Sequence, residues 1–258
     1  NQLKAVPEAT EYPRTIGKDG KLKVTRKNDW TEGFYPGCLW YVYEYTNKED
    51  WKKAAIKWTE SLEPLKKMTN HHDIGFLMYC SFGNAYRLTG NEAYKDVLVE
   101  SARSLCTRFN EKTGCIKSWN YRKSWNGKDE WFYPVIIDNM MNLELLYFAT
   151  KVTGDSVYAK VANRHAETTA KNQFREDYSN YHVVNYDAET GEVLNQATCQ
   201  GFSDNSAWAR GQAWAIYGYT MAYRETHRQD FLDMAVHTAD FWLNHPNLPE
   251  DGIPYWDF

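Results

Sequence analysis

Four ungapped segments of the chain share one pattern, a threonine followed five residues later by an aromatic. They are Thr46 to Trp51, Thr89 to Tyr94, Thr153 to Tyr158 and Thr226 to Phe231. The match runs on past the aromatic: four residues further stand Ala55, Leu98, Ala162 and Ala235, and eight further Thr59, Ala102, Ala166 and Ala239. That spacing is one face of an α-helix, so each segment opens an amphipathic helix. The short polar stretch between threonine and aromatic must then stop one helix and start the next. Gly90 and Gly154 suit left-handed C-terminal caps, and Asn91 and Asp155 suit N-caps.

The helix before each threonine has another character. Residues 33–45 and 207–223 are apolar and aromatic nearly all round, which predicts helices buried on all sides. The helices after the threonines carry Lys, Glu, Asp and Arg on one face and can lie outside. The repeating unit is a helical hairpin, inner helix then outer helix. Four of them in series predict an all-α architecture of the (α/α) toroid type, in a single domain over residues 1–258. The longer insertions 110–131 and 173–204 read as loops over one end, where function concentrates. Four hairpins leave the flank of an inner helix open to water, and the last residues, Tyr255 to Phe258, are rich in aromatics. The expectation is a chain shortened at its C-terminus.

Composition narrows the function classes. Net charge is only -4, with Lys and Arg scattered, which argues against nucleic acid as a partner. No apolar run approaches the ~18 residues of a membrane span. The first residue is Asn1 with no apolar leader behind it, so a secretory signal is either removed or was never present. Five cysteines, an odd number without C-x-x-C spacing, fit neither a disulfide framework nor a structural zinc site and predict buried free thiols. Aromatics make up 16% of the chain, enough either for a bulky core or for stacking platforms under ring-shaped ligands.

The repeat also places chemistry. Trp30, Asp73 and Arg210 each stand sixteen residues before the threonine of their own unit, and Asp138 stands fifteen before Thr153. All four therefore lie near the start of an inner helix, at one end of the layer. Two are aspartates, and a pair of carboxylates facing one concavity suits glycosidic bond chemistry. Capping explains many aspartates at helix starts. Here Asp138 sits inside Val135-Ile136-Ile137 and Met140-Met141, and Asp73 follows His71-His72 and precedes Ile74-Gly75-Phe76. Burial in such company raises a carboxyl pKa, which suits a group that holds a transferable proton. Around them Trp30, Phe34, Trp119, Trp125, Trp131, Trp208 and Trp214 suit the apolar faces of sugar rings. Arg210 is a candidate for a sugar carboxylate. The His71-His72-Asp73 run lacks the i, i+4 histidine spacing of a helical zinc site, so no metal is expected. No G-x-S-x-G or Gly-rich phosphate loop occurs either.

Five ordered motifs carry a resemblance: Trp30 to Gly37, His72 to Phe76, Ile137 to Met141, His182 to Asp187 and Trp208 to Trp214. Together they resemble the bacterial unsaturated glucuronyl hydrolases, glycoside hydrolase family 88, over essentially the whole chain. That resemblance implies an (α/α)6 barrel of six hairpins, where this chain has four. It implies a glycosidase that removes 4,5-unsaturated uronic acid from the non-reducing end of lyase-generated oligosaccharides, by hydrating the vinyl ether. Asp138 then matches the general acid/base and Asp73 its carboxylate partner. His182 and Gln200 match polar groups that hold substrate, and Trp30, Phe34, Trp125 and Trp214 match stacking positions. No metal, organic cofactor or obligate protein partner is implied, and a bacterial periplasm is the expected compartment. Rival expectations are an unsaturated rhamnogalacturonyl hydrolase acting on pectin fragments, an (α/α) sugar epimerase, and a non-catalytic glycan-binding module.

Overall fold

A computed structural model describes residues 2–26 and 29–258. Contacts group the chain into two compact units, Asn1–Thr69 with Asp73–Leu105, and Asn70–His72 with Cys106–Phe258. The first unit holds a helical turn α1 (Gln2–Ala5), a β-ribbon of β1 (Tyr12–Ile16) and β2 (Leu22–Thr25), and helices α2 (Phe34–Thr46) and α3 (Glu49–Glu60). It continues with α4 (Ile74–Met78), α5 (Asn84–Thr89) and α6 (Glu92–Cys106), a π-turn over Tyr79–Gly83 joining α4 to α5. The second unit carries short strands β3 (Phe109–Asn110), β4 (Cys115–Ile116), β5 (Arg122–Lys123), β6 (Glu130–Trp131) and β7 (Pro134–Ile136). A 3-10 turn over Ile137–Asn142 leads into α7 (Leu143–Thr153) and α8 (Val157–Asn172). Strands β8 (Val183–Tyr186) and β9 (Val193–Ala197) precede α9 (Ala209–Thr226) and α10 (Gln229–Asn244).

The threonine repeat is a helix corner. Thr46, Thr89, Thr153 and Thr226 each end a helix and donate Oγ1 to the carbonyl four residues back, on Val42, Ala85, Ala149 and Ala222. The next residue is left-handed in every case: Asn47, Gly90, Gly154 and His227 have φ of 51, 65, 75 and 55°. In three corners the same hydroxyl accepts the N–H two residues on, from Asn91, Asp155 and Arg228. One side chain thus satisfies a helix-end carbonyl and orients the turn that follows. Asn91 and Asp155 cap as expected, accepting from the N–H groups of Ala93 and Val157. The face predicted for the second helices is buried, Ala55, Leu98 and Ala162 at 0% exposure and Ala235 at 4%.

The expectation of helical hairpins therefore holds in each unit, with α2 packed on α3, α7 on α8 and α9 on α10. Three expectations need correction. The first helices of the hairpins are not buried all round: Cys38 and Tyr41 of α2 and Tyr217 of α9 are exposed. A tyrosine-rich surface looks apolar by composition, yet its hydroxyl tips reach polar partners, as Tyr217 reaches Glu144. The insertions, read as loops, contain strands. β7, β8 and β9 form a three-stranded antiparallel sheet with β8 in the centre and buried along its length. The cysteines are free, but only Cys115 is fully buried, and Cys38 is exposed.

Candidate active site

The sheet places two of the expected residues. Ile136 pairs with Val183 at the end of the β7–β8 ladder, and one residue further the Ile137 N–H donates to the His182 carbonyl at 3.0 Å. Asp138 is the next residue of the 3-10 turn, so the register of the ladder sets its side chain beside that of His182. A slip of one residue would turn the two apart. Asp138 Oδ2 lies 3.6 Å from His182 Nε2, with only 8% and 2% of the two residues exposed.

The backbone beyond β9 fixes the state of that imidazole. Cys199 and Gln200 donate their N–H groups to His182 Nδ1 at 2.9 and 3.2 Å. A ring nitrogen that accepts carries no proton, so the proton of the neutral ring sits on Nε2, aimed at Asp138. Burial, aided by the charges of Arg210 and Arg122 and by His72, pushes the His182 pKa down to about 3. The pair is therefore a neutral donor facing a carboxyl group rather than an ion pair. At 3.6 Å the donor is aimed but the hydrogen bond is not closed.

The turn that carries Asp138 rests on buried neutral polar groups. Asn139 donates to the Ile116 carbonyl at 2.7 Å, and Asn142 donates to Asn139 Oδ1 at 3.2 Å and meets His72 Nδ1 at 3.3 Å. Ser118 Oγ reaches the same His72 nitrogen and accepts the Ile136 N–H. Such a network of buried hydrogen bonds favours one arrangement of the turn. From the other side α9 packs closely. A Cβ at Gly218 would stand 2.4 Å from Met140 Cβ, two residues past Asp138.

Two indoles flank His182, Trp208 with its ring centre at 4.6 Å and Trp119 at 6.3 Å. Each carries a guanidinium, Arg210 at 4.5 Å from the Trp208 ring and Arg122 at 4.7 Å from the Trp119 ring. Arg210 also donates to Gln200 Oε1 at 2.5 Å. Gln200, Trp208 and Arg210 line a cleft of about 610 Å³ together with Trp242, Tyr255 and Trp256. The second unit thus presents a buried carboxyl, a neutral imidazole, an amide, indole faces and two cations. That set can give and take a proton and can hold an acidic sugar.

The remaining expected residues lie on other elements. Trp214 is half-buried on α9, one turn past Arg210. Trp125 is exposed between β5 and β6, with Nε1 3.4 Å from Asp204 Oδ1. In the first unit, Trp30, Phe34 and Phe76 form an aromatic cluster with ring centres 5.9 to 6.0 Å apart. Asp73 lies one helical turn before Phe76 and is half-buried. It occupies the N-cap position of α4 without a side-chain capping bond, so capping does not explain it. Trp131, grouped by sequence with the sugar-facing aromatics, is fully buried against Ile136, Val183 and Ala197 and belongs to the core. Arg122, Asn139 and Asn142 were not singled out by sequence reasoning. No sequence pattern marks the first, since Arg122 follows Trp119 by three residues where Arg210 follows Trp208 by two. Among the described residues no group of three or more His, Cys, Asp or Glu is placed to hold a metal ion, and no described helix is long and apolar enough to cross a membrane.

Known proteins resemble this chain over most of its length. The profile of the family described as Glycosyl Hydrolase Family 88 matches residues 7–253. An unsaturated glucuronyl hydrolase of Formosa agariphila is 50% identical over 253 residues, 97% of this chain and 62% of that protein. An unsaturated chondroitin disaccharide hydrolase of Streptococcus agalactiae is 38% identical over 96% of this chain and 61% of its own length. The chain thus spans somewhat over three fifths of these curated relatives. Among solved structures, an unsaturated glucuronyl hydrolase specific for heparin superposes with a TM-score of 0.93 at 44% identity, over 99% of this chain and 67% of the other. The unsaturated glucuronyl hydrolase of Bacillus sp. GL1, responsible for the degradation of glycosaminoglycan, gives 0.89 at 33% identity over the same shares.

Proposed function

Because the chain belongs to glycosyl hydrolase family 88, we propose that it is a glycosidase that removes 4,5-unsaturated uronic acid from the non-reducing end of lyase-generated glycosaminoglycan fragments. The observation that carries the reading is the buried Asp138 held against a neutral His182, with indoles and arginines beside them. An enol ether is electron-rich at C4, so a carboxylic acid at Asp138 delivers its proton there and leaves an oxocarbenium-like centre at C5. Water adds to C5, and the carboxylate takes up the proton that the water loses. The hemiketal so formed opens by breaking its C5–ring oxygen bond. C1 is then a hemiacetal that expels the remaining sugar as an alcohol and becomes an aldehyde.

In this scheme His182 does not exchange protons. Its Nε2–H faces the carboxylate form of Asp138 and favours the return of the turn to one geometry after each cycle. Gln200 and Arg210 hold the uronate, with Trp30, Phe34, Trp125 and Trp214 as stacking surfaces and Asp73 as the second carboxylate. We read residues 1–258 as one catalytic domain and a bacterial periplasm as its compartment, from the class of substrate. The relatives named above act, by their names, on glucuronyl or chondroitin fragments, which favours glycosaminoglycan products over pectin products. No cofactor takes part in any step.

The test is loss of the ultraviolet absorbance of the unsaturated bond on lyase-treated hyaluronan, chondroitin and pectin. We expect consumption of the first two. Persistent absorbance with tight binding would make the protein a glycan-binding module instead. Asp138→Asn should keep the circular-dichroism spectrum and substrate affinity while lowering kcat by at least about a hundredfold; a substantial residual rate rejects the assignment.

A further inference from the structure

The structure assigns to Arg122 a role in substrate selection: its guanidinium, stacked on Trp119, is a second cation for the acid group of the uronate, in addition to Arg210 on Trp208. The inference rests on the activity proposed above and names a residue that the motifs did not.

The geometry of the two arginines is matched. Each guanidinium carbon lies 4.5 to 4.7 Å from the centre of an indole, and both indoles neighbour His182, with ring centres at 6.3 and 4.6 Å. An arginine laid on an indole face keeps the N–H edge of its fork available for a planar carboxylate. Arg122 begins the two-residue strand β5, where it pairs with Trp131 across the ribbon, and Trp131 is wholly buried. The backbone that presents the guanidinium is therefore anchored, although the side chain itself is exposed.

Its neighbours point the same way. Lys123, the adjacent residue, is paired with Glu130 at 3.7 Å, the ordinary arrangement of a surface ribbon. No carboxylate pairs with Arg122 among the described residues; its contacts are the Trp119 ring and the Cys199 thiol. Cys199 is the residue whose N–H holds His182 Nδ1, so Arg122 touches the loop that fixes the imidazole facing Asp138. A purely structural arginine needs acceptors on several sides, as Arg175 has in the carbonyls of Asn180, Asp204 and Ser206. Arg122 has none of that kind. It adds positive charge beside a site that must hold an anionic sugar, and an exposed charge at contact distance is worth about fivefold in binding.

The experiment compares an unsaturated disaccharide from lyase-treated hyaluronan with its uronate methyl ester, which lacks the charge. Wild type should prefer the acid. Arg122→Gln should lower kcat/KM for the acid roughly five- to tenfold, mainly through KM, and for the ester less than twofold, so that the preference narrows. Arg122→Lys should fall between, and raised salt should narrow the preference of wild type more than that of Arg122→Gln, which keeps only Arg210. An acid-to-ester ratio in Arg122→Gln equal to that of wild type overturns the inference, whatever happens to the absolute rate. If the glutamine variant loses its fold, the same ratio in Arg122→Lys decides. If wild type consumes neither compound, the activity reading fails by itself. The ratio is then read from quenching of tryptophan fluorescence by glucuronate and by its methyl ester.

Discussion

His182 shows how much a single side chain is fixed by the backbone around it. Two amides converge on Nδ1, so rotation of the ring by half a turn would set a protonated nitrogen against two donors. A leucine of similar size would leave those amides buried without an acceptor, at a cost of about 1–3 kcal/mol each. We predict that nitrogen-detected NMR will find His182 protonated at Nε2 alone from pH 8 to pH 5. Its pKa, held near 3 by burial, lies below that window. A ring that gains its second proton within the window would refute the assignment and make the contact with Asp138 an ion pair. Asp138 and Asp73 were legible as residues of interest because each interrupts or borders an apolar run, whereas His182 came only with the family motifs. Arg122 was not legible, because one arginine among many in a polar insertion has no pattern of its own until the fold sets it on an indole. Trp131 misled for the opposite reason, since a tryptophan in a loop-like stretch looks exposed until the ribbon turns it inward.

Among the elements, the corners are the most legible feature, and the sheet the least. Threonine, left-handed residue and aromatic recur at fixed spacing, so both the break and the direction of the next helix are written in the chain. Asn47 and His227 take the left-handed conformation without being glycine, which carries a steric cost that Gly90 and Gly154 avoid. His227→Gly should therefore stabilise the protein by about 0.5–1 kcal/mol in urea denaturation, despite loss of the ring contact with Tyr223. The sheet escaped because β7 and β8 are three and four residues long and buried on both faces. Neither shows alternation, and a short apolar run reads equally as helix or strand. Yet this sheet sets Asp138 against His182. The close approach of α9 to the Asp138 turn gives a second prediction. Gly218→Ala should cost roughly 1–3 kcal/mol of stability and lower kcat as well, because Met140 has to yield. Unchanged stability would mean that the turn is looser than the packing indicates.

At the scale of the whole molecule, buried histidines govern the response to acid. His165 accepts the Ile116 N–H at Nδ1, and burial with its neighbour His72 pushes its pKa down to about 3, as for His182. Both rings stay neutral in the folded chain and take up protons in the unfolded one, whose histidines titrate near 6.5. Their contribution to stability is therefore greatest above that value and falls as the pH drops from about 6.5 towards 3. Between pH 7 and pH 5 each ring should contribute a loss of roughly 2 kcal/mol. His165→Asn retains an acceptor for Ile116, so it should be less stable at pH 7 but lose less on acidification; an unchanged pH dependence would contradict the buried neutral state. Thiol labelling offers an independent reading. Exposed Cys38 should react first, and Cys115, fully buried with its pKa raised to about 12 by desolvation, only on global unfolding. One further consequence comes from the corners. Each is closed by a threonine hydroxyl and a left-handed residue, so the joints are built on one plan. Correct neighbours must then be selected by the packed faces alone. Concentrated refolding is accordingly where exchange of hairpins between chains is expected, as dimers that dissolve on dilution and renewed folding.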